Sequence, residues 1–286
     1  AGLLVWWAAW SLGLMLFAAV LRVVVEAIHV AVLRWPARAY PMRRTLAGLR
    51  RQMPDTPDMA VVHTRPEVLA HTEIDRAVWL RTGPAGGSGG DPQVGERAAT
   101  EAADELRDLV QGCAVVVLLC GLGGGTGSGA TPVAARIARE AGAFVLTLAT
   151  LPFLFEGPRR MQIARRSLAA LQQASDAVIV LPNQRLAEWV PDGTPVQTAF
   201  QMSDHLVGAS LRTLWKLLTS PAILPLDFSD LRRLAEDHSA VLAVATVETA
   251  GELRVESALD ELAGSPLLNH GAVLAASPGV LAAVSG

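Results

Sequence analysis

Apolar runs of strand length alternate with amphipathic helical stretches along most of this chain. From about residue 60, strands, glycine-rich loops and helices follow one another in an order typical of a doubly wound, mostly parallel sheet. Apolar positions at three- and four-residue steps then predict a long helix from Pro195 to about Thr219. The pattern therefore predicts an α/β domain that leads into a long helix. The predicted strands are residues 59–62, 77–80, 114–120 and 143–150, with a helix predicted at 94–110.

Residues 1–21 differ from the rest, because they contain no charged side chain and are long enough to cross the hydrocarbon core of a bilayer. Tryptophans near the start suit a membrane interface, and arginines dominate the segment that follows. The positive-inside rule then places the remainder of the chain in the cytoplasm. We therefore predict a single-pass transmembrane helix in the cell membrane, with residues 1–35 as anchor and juxtamembrane segment. A buried core helix is the alternative.

One glycine-rich run carries most of the functional information. Residues 121–129 read Gly-Leu-Gly-Gly-Gly-Thr-Gly-Ser-Gly, directly after the strand predicted at 114–120. A helix is predicted to follow, with Pro132 in its first turn. Glycines let a backbone approach phosphate oxygens, and the N–H groups and dipole of a helix N-terminus favour negative charge. The run therefore predicts a phosphate site, to which the hydroxyls of Thr126 and Ser128 add donors.

Three kinds of phosphate loop compete for this run. A Walker loop requires a lysine after its glycine, but Lys216 is the only lysine in the chain. A dinucleotide fingerprint can be threaded through Gly125, Gly127 and Ala130, yet the strand at 143–150 ends without an acid for the ribose. A dinucleotide-binding oxidoreductase is therefore a distant alternative. The third form, GGGTG(T/S)G, is complete here, and in it the chain resembles the tubulin/FtsZ superfamily.

The resemblance to FtsZ continues through further short segments in the family's order, over roughly residues 60–286. It implies a nucleotide-binding domain over residues 36–220, with the central helix at 195–219, and a partial α+β subdomain over 221–286. The final residues, 280–286, resemble an early strand of that subdomain, so the chain is expected to be a fragment or a shortened member. The matching segments are 90–95, 152–160, 181–186, 199–204, 226–230 and 265–268.

The resemblance implies a GTP or GDP site, with Mg²⁺ as the expected cation. Asp227 and Asp230 match the catalytic loop, which in the family acts on the nucleotide of the neighbouring subunit in a head-to-tail filament. The loop at 83–90 matches a segment that contacts the γ-phosphate. Together these features imply a GTPase that assembles at the cytoplasmic membrane face. The residues implied to hold phosphate, ribose and base are Gly123, Gly124, Gly125, Thr126, Gly127, Ser128, Gly129, Glu156, Arg160, Asn183, Phe200 and Asp204.

Three positions depart from the family pattern. The predicted first phosphate loop, at 34–40, contains no glycine. Residues 63–65 read His-Thr-Arg where the family has Asn-Thr-Asp, and Pro225 stands where it has Asn. The complete signature favours a filament-forming GTPase, whereas these departures favour a non-hydrolysing scaffold. Both hypotheses stay open at this point.

The composition of the chain limits the kinds of binding partner that we expect. The formal net charge of −3 gives no reason to expect nucleic acid. Cys113 and Cys120 lie at or in an apolar strand without metal-like partners, so buried free thiols are predicted and no protein metal site is. The expected partners are other copies of the chain, the membrane through residues 1–21, and cell-division or partition proteins.

Overall fold

The central feature of the fold is a parallel β-sheet. The computed structural model describes residues 3–7, 21–26, 59–70, 76–84, 86–186, 194–219, 241–243, 245, 247, 253–276 and 280–284. Its strands are β1 Leu3–Trp7, β2 Leu21–Glu26, β3 Met59–His63, β4 Arg76–Trp79, β5 Val115–Gly121, β6 Phe144–Leu151, β7 Ala177–Pro182, β8 Val241–Leu242 and β9 Val280–Val284. Seven of them form one sheet in the order β4-β3-β2-β5-β6-β7-β8, with all neighbours parallel, while β1 pairs with β9 in parallel. The predicted doubly wound α/β fold is confirmed.

Helices connect these strands and cover the sheet. The helix predicted from Pro195 to Thr219 is observed as Val196–Thr219, and the helix predicted at 94–110 is divided in two at Ala102. Short 3₁₀ turns occur at Leu154–Glu156 and Pro266–Leu268. The helices are α1 Pro66–Ala70, α2 Pro92–Glu101, α3 Ala103–Val110, α4 Gly125–Glu140, α5 Pro158–Ala174, α6 Asn183–Leu186, α7 Val196–Thr219, α8 Arg254–Gly264 and α9 Ala272–Ala276.

Both faces of the sheet are buried at its centre, which explains the unbroken apolar runs of the strands. Every residue of β5 is buried. Val116 and Leu118 belong to the core beneath α2, α3 and α4, whereas Val117 and Leu119 belong to the core beneath α7. Removing such a side chain from water stabilises the fold by about 1.5–3 kcal/mol. The buried strands therefore fix the edge of the sheet from which the functional loops emerge.

The chain reverses its direction of travel across the sheet between β2 and β5. From β2 it continues to β3 and β4 on one side, and from β5 to β6, β7 and β8 on the other. In open parallel sheets, the crevice outside the carboxyl ends of the strands at such a switch point is the usual ligand site. The loops after β3 and β5 both open at this edge.

The transmembrane helix predicted at residues 1–21 is not what the structure shows. Leu3–Trp7 is a strand paired with Val280–Val284, and Leu21 begins β2, which lies between β3 and β5. Residues 8–20 lie outside the described part. Among the described residues, no helix combines the length and the apolar character needed to cross a membrane. The prediction failed because strands of parallel sheets also read as continuous apolar runs, so charge-free length alone does not identify a spanning helix.

Candidate nucleotide site at the carboxyl edge of the sheet

Much of the glycine signature is helical, because the helix that was predicted to follow it already starts within it. Helix α4 begins at Gly125, with Gly124 as its extended N-cap (φ −95°, ψ 172°), and Pro132 lies inside the helix and not in its first turn. Gly123 has φ 105° and its N–H donates to Ser128 Oγ over 2.8 Å. The first N–H groups of α4 have no partner within the helix, and they lie at the switch point of the sheet. This is the geometry that favours an anion.

Two of the signature glycines also permit close packing between helices. A Cβ on Gly129 would clash with the carbonyl oxygen of Pro92 and lie 2.7 Å from the backbone N of Glu96. A Cβ on Gly125 would lie 2.6 Å from the carbonyl oxygen of Asp91, and Gly95 faces Gly125 with equally little room. Because α2 approaches α4 this closely, these glycines are required by packing. Their predicted contact with phosphate is a separate property that stays a prediction.

Three hydroxyls meet beside the N-terminus of α4. Thr126 Oγ1 lies 2.7 Å from Thr64 Oγ1 and 3.2 Å from Ser88 Oγ. Thr64 and Thr126 are buried, and Ser88 is partly buried. Sequence reasoning found Thr126 but missed Thr64 and Ser88, because a single hydroxyl carries no pattern. The signal that could have found them was their position in the sequence, because Thr64 follows a predicted strand and Ser88 lies in the glycine-rich loop at 83–90.

The glycine-rich loop at 83–90 folds against these hydroxyls. The N–H of Gly87 donates to the carbonyl oxygen of Thr64 over 2.8 Å, and Thr82 Oγ1 donates to the carbonyl oxygen of Gly87 over 2.8 Å. Asp91 then caps α2 by accepting from the N–H of Gln93 at 2.9 Å. Several residues of the loop have positive φ angles, which only glycine adopts without strain. The loop therefore has a defined conformation held by hydrogen bonds and is not a plain linker. Its positive φ angles occur at Gly83, Gly86, Gly87, Gly89 and Gly90.

Glu156 and Arg160 form an ion pair next to the signature. Their closest N···O distance is 3.1 Å, and the side chain of Glu156 is only 3% exposed. The second carboxylate oxygen of Glu156 accepts from the N–H of Phe153 at 2.8 Å. Burial raises the pKa of Glu156 above its ordinary value, although the Phe153 N–H and Arg160 act in the opposite direction. A Cβ built on Gly123 would lie 3.1 Å from the carbonyl oxygen of Arg160, so the pair lies beside the signature.

The predicted base contacts lie together around an aromatic cluster. Phe200 packs edge-on against Phe153 and Phe155, with ring centroids 5.3 and 6.1 Å apart. Phe153 is buried, whereas Phe155 is 53% exposed. The buried Asn183 accepts from Ser203 Oγ through Oδ1 at 2.7 Å. This contact ties α6 to α7, and the half-buried Asp204 follows Ser203 on the same helix.

Other predicted site residues lie outside the described part. These are Asp227 and Asp230, Pro225, and the segment 34–40 that was expected as the first phosphate loop. Because β2 ends at Glu26, the segment that follows it starts at residue 27, earlier than expected. No glycine occurs between residue 27 and Gly48, so the absence of a first glycine loop does not depend on where that loop is placed.

Comparison with known proteins agrees with this geometry. A family model described as Tubulin/FtsZ family, GTPase domain, matches residues 51–191. Cell division protein FtsZ 1 of Pyrococcus horikoshii is 37% identical over 232 residues, which cover 81% of this chain and 59% of that protein. The corresponding protein of Pyrococcus furiosus is 39% identical over 215 residues, covering 75% of this chain and 55% of that protein. The structure described as FtsZ dimer, empty, from M. jannaschii superposes with a TM-score of 0.76 at 29% identity, covering 87% of this chain and 69% of that one.

The parallel sheet, the loops at its carboxyl edge and these matches place the chain in the tubulin/FtsZ superfamily. Within that superfamily it is similar to archaeal proteins named for FtsZ and cell division. The chain spans 59% and 55% of the lengths of the two curated relatives it is compared with above.

Proposed function

We propose that the chain binds a guanine nucleotide in the crevice between β2 and β5 and self-associates head to tail, hydrolysing GTP between subunits. One observation carries the binding step: the N-terminus of α4 opens at the switch point, with the hydroxyls of Thr64, Ser88 and Thr126 beside it. Fixed N–H groups and hydroxyls can donate to phosphate oxygens without rearrangement. The relatives named for cell division support a role in that process.

The ribose and base would bind on the side of the signature where Glu156, Arg160 and the aromatic cluster lie. Glu156 already uses both carboxylate oxygens within the protein, so a ribose hydroxyl would share an oxygen with an existing donor. The exposed edge of Phe155, together with Phe200, offers apolar surface for a base. Asn183 and Asp204 remain our proposed guanine contacts, and a carboxylate can accept from guanine N1–H and N2–H together, which adenine does not allow.

Nucleotide binding is tested with the full chain and with GTP, GDP and ATP compared in the same titration. Thr126→Val keeps the branched shape but removes the hydroxyl at the centre of the cluster, and we expect GTP affinity to fall at least about tenfold, since a lost bond to a charged group costs about 1.5–3 kcal/mol. Thr100→Val, on the exposed face of α2, is the matched control and should leave affinity unchanged. Equal affinity for GTP and ATP, or no binding of either, would contradict the proposal.

A non-hydrolysing scaffold is the second candidate function. The observation that favours it is the segment after β2, where no glycine occurs before Gly48, so that half of a phosphate cradle lacks the residues that allow close approach. The two candidates differ in one measurement. The GTPase releases phosphate at a rate that rises more than linearly with protein concentration, whereas the scaffold binds nucleotide and associates without releasing phosphate.

Self-association has support from the solved relative described as a dimer and from apolar side chains exposed on the described surface. Leu154 in the loop after β6 is 66% exposed, and Leu253 and Leu259, at the start of and within α8, are 68% and 62% exposed. A head-to-tail contact would cover different patches on its two sides. Sedimentation with GTP and with GDP measures it.

A further inference from the structure

We propose that Arg65 supplies the positive charge at the terminal phosphate that a divalent cation would otherwise supply, so that nucleotide binding by this chain does not require Mg²⁺. The inference rests on the proposed nucleotide site and concerns which group neutralises the phosphates there. Arg65 lies directly after Thr64, at the carboxyl end of β3.

The side chain of Arg65 lies along the glycine-rich loop. A Cβ built on Gly87 would lie 3.2 Å from Arg65 Nε and 3.5 Å from its Cγ, so the arginine side chain packs against the backbone of the loop at residue 87. The N–H of Arg65 donates to His63 Nδ1 at 2.9 Å, which fixes the backbone from which the side chain departs. The guanidinium group is therefore held beside the loop that carries Ser88.

This guanidinium forms no ion pair with a carboxylate among the described residues. Asp91, the carboxylate that follows this loop, is exposed, and its Oδ1 accepts from the N–H of Gln93, where it caps α2. Arginine stays charged at every accessible pH and its fork of donors matches phosphate oxygens. A positioned charge that has no carboxylate partner within the described part of the chain is available to a ligand anion.

The hydroxyl cluster beside α4 contains no carboxylate that could hold Mg²⁺. Mg²⁺ is usually bound through one or two carboxylates together with phosphate oxygens. Within the described residues, no group of three or more His, Cys, Asp or Glu side chains could hold a metal ion. In the proposed site, the terminal phosphate would meet the hydroxyls of Thr64, Ser88 and Thr126 and the guanidinium of Arg65, and this charge would repel a second cation.

The test compares GTP and GDP binding by the full chain in MgCl₂ and in excess EDTA. For the wild type we expect GTP affinity to change less than about threefold between the two conditions. Arg65→Gln should weaken GTP binding about tenfold, because a charge-assisted bond to phosphate is lost, while GDP binding changes little. Arg81→Gln is the matched control, since Arg81 is exposed at the end of the neighbouring strand and stacks on Trp79 at 5.5 Å. It should bind both nucleotides as the wild type does.

Unchanged GDP affinity in Arg65→Gln shows that the variant is folded. If that variant does not fold, the wild-type measurement still decides, because a loss of GTP affinity of about tenfold or more in EDTA would overturn the proposal. Equal GTP binding by Arg65→Gln and wild type would overturn it as well. Neither of these two results would contradict the proposed nucleotide site. Absence of binding by the wild type for GTP and GDP alike would instead reject the site, and Arg65 with it.

Discussion

At Gly129 the backbone of α4 touches the backbone of α2, and no side chain fits between them. The position is helical, where alanine is ordinarily preferred over glycine by about 1 kcal/mol. Here the added methyl group would meet the carbonyl oxygen of Pro92, which is backbone and has little freedom to move. Two glycines of the signature, Gly125 and Gly129, are thus explained by packing before any ligand is considered.

We therefore expect Gly129→Ala to destabilise the fold by about 1–3 kcal/mol, the usual effect of forcing extra atoms into a packed contact. Urea unfolding followed by circular dichroism measures the free energy of unfolding. Gly264→Ala is the control, because Gly264 lies in α8 with no atom near its Cβ position and should be neutral or slightly stabilising. A Gly129→Ala variant as stable as the wild type would show that α2 can move away at little cost.

Glu156 gives the described site a pH dependence whose sign follows from its raised pKa. A carboxyl group with a higher pKa in the folded than in the unfolded state favours folding when protonated. Its contribution is therefore complete below the unfolded value and is lost as the pH rises through the folded value. The stability of the wild type relative to Glu156→Gln, which cannot ionise, should fall as the pH rises across this range. Urea unfolding of both proteins at a series of pH values measures the difference, and a difference that grows with pH would reverse the sign.

Sequence pattern located some residues of this site and not others, for physical reasons. The signature was found from its glycine spacing, and the Glu156–Arg160 pair from the resemblance of residues 152–160 to a loop of the family; the structure places the two side by side. Thr64 and Ser88 were missed, because what they do depends on which strands are neighbours, and spacing along the chain does not reveal that.

At the level of elements, prediction succeeded where a periodic pattern or a bounded apolar run exists. Helix α7 was expected to within one residue at its start, since its apolar stripe has helical period. The strands β5 and β6 were expected from their Val-rich and Leu-rich runs. In contrast, β1 and the first residue of β2 were included in one predicted spanning helix, because an uninterrupted apolar run has no period that separates strand from helix. The start of α4 was placed too late, since glycines usually indicate a loop.

Helix α2 gives an element-level prediction through its N-cap. Asp91 accepts from the N–H of Gln93 and so satisfies one of the donors that a helix leaves free at its start. Asp91→Ala should lower the free energy of unfolding by about 1 kcal/mol, the usual effect of removing such a cap. Asp91→Asn keeps an acceptor oxygen and should be close to the wild type. Thermal and urea unfolding measure both, and equal losses in the two variants would show that the cap contributes nothing here.

For the whole molecule, the decisive question is whether one subunit completes the site of the next. The described residues that we propose as phosphate, ribose and base contacts lie at one edge of the sheet, while the proposed catalytic residues, Asp227 and Asp230, belong to a separate segment of the chain. In a head-to-tail assembly, each contact joins one surface of a subunit to a different surface of its neighbour. A nucleotide bound by one subunit can then be hydrolysed only with a group from the next.

This arrangement predicts complementation between two inactive variants. Asp230→Ala keeps the nucleotide site but lacks the catalytic carboxylate, and Thr126→Val keeps the carboxylate but binds nucleotide poorly. At GTP concentrations well below the dissociation constant of the wild type, each variant alone should release phosphate at about a tenth of the wild-type rate or less. An equimolar mixture should recover roughly a quarter of the wild-type rate, because about one contact in four joins an intact nucleotide site to an intact carboxylate when the subunits assemble at random. Asp108→Ala, an exposed carboxylate on α3, is the control and should be as active as the wild type. A mixture no more active than the sum of its components would show that hydrolysis, if it occurs, is completed within one chain.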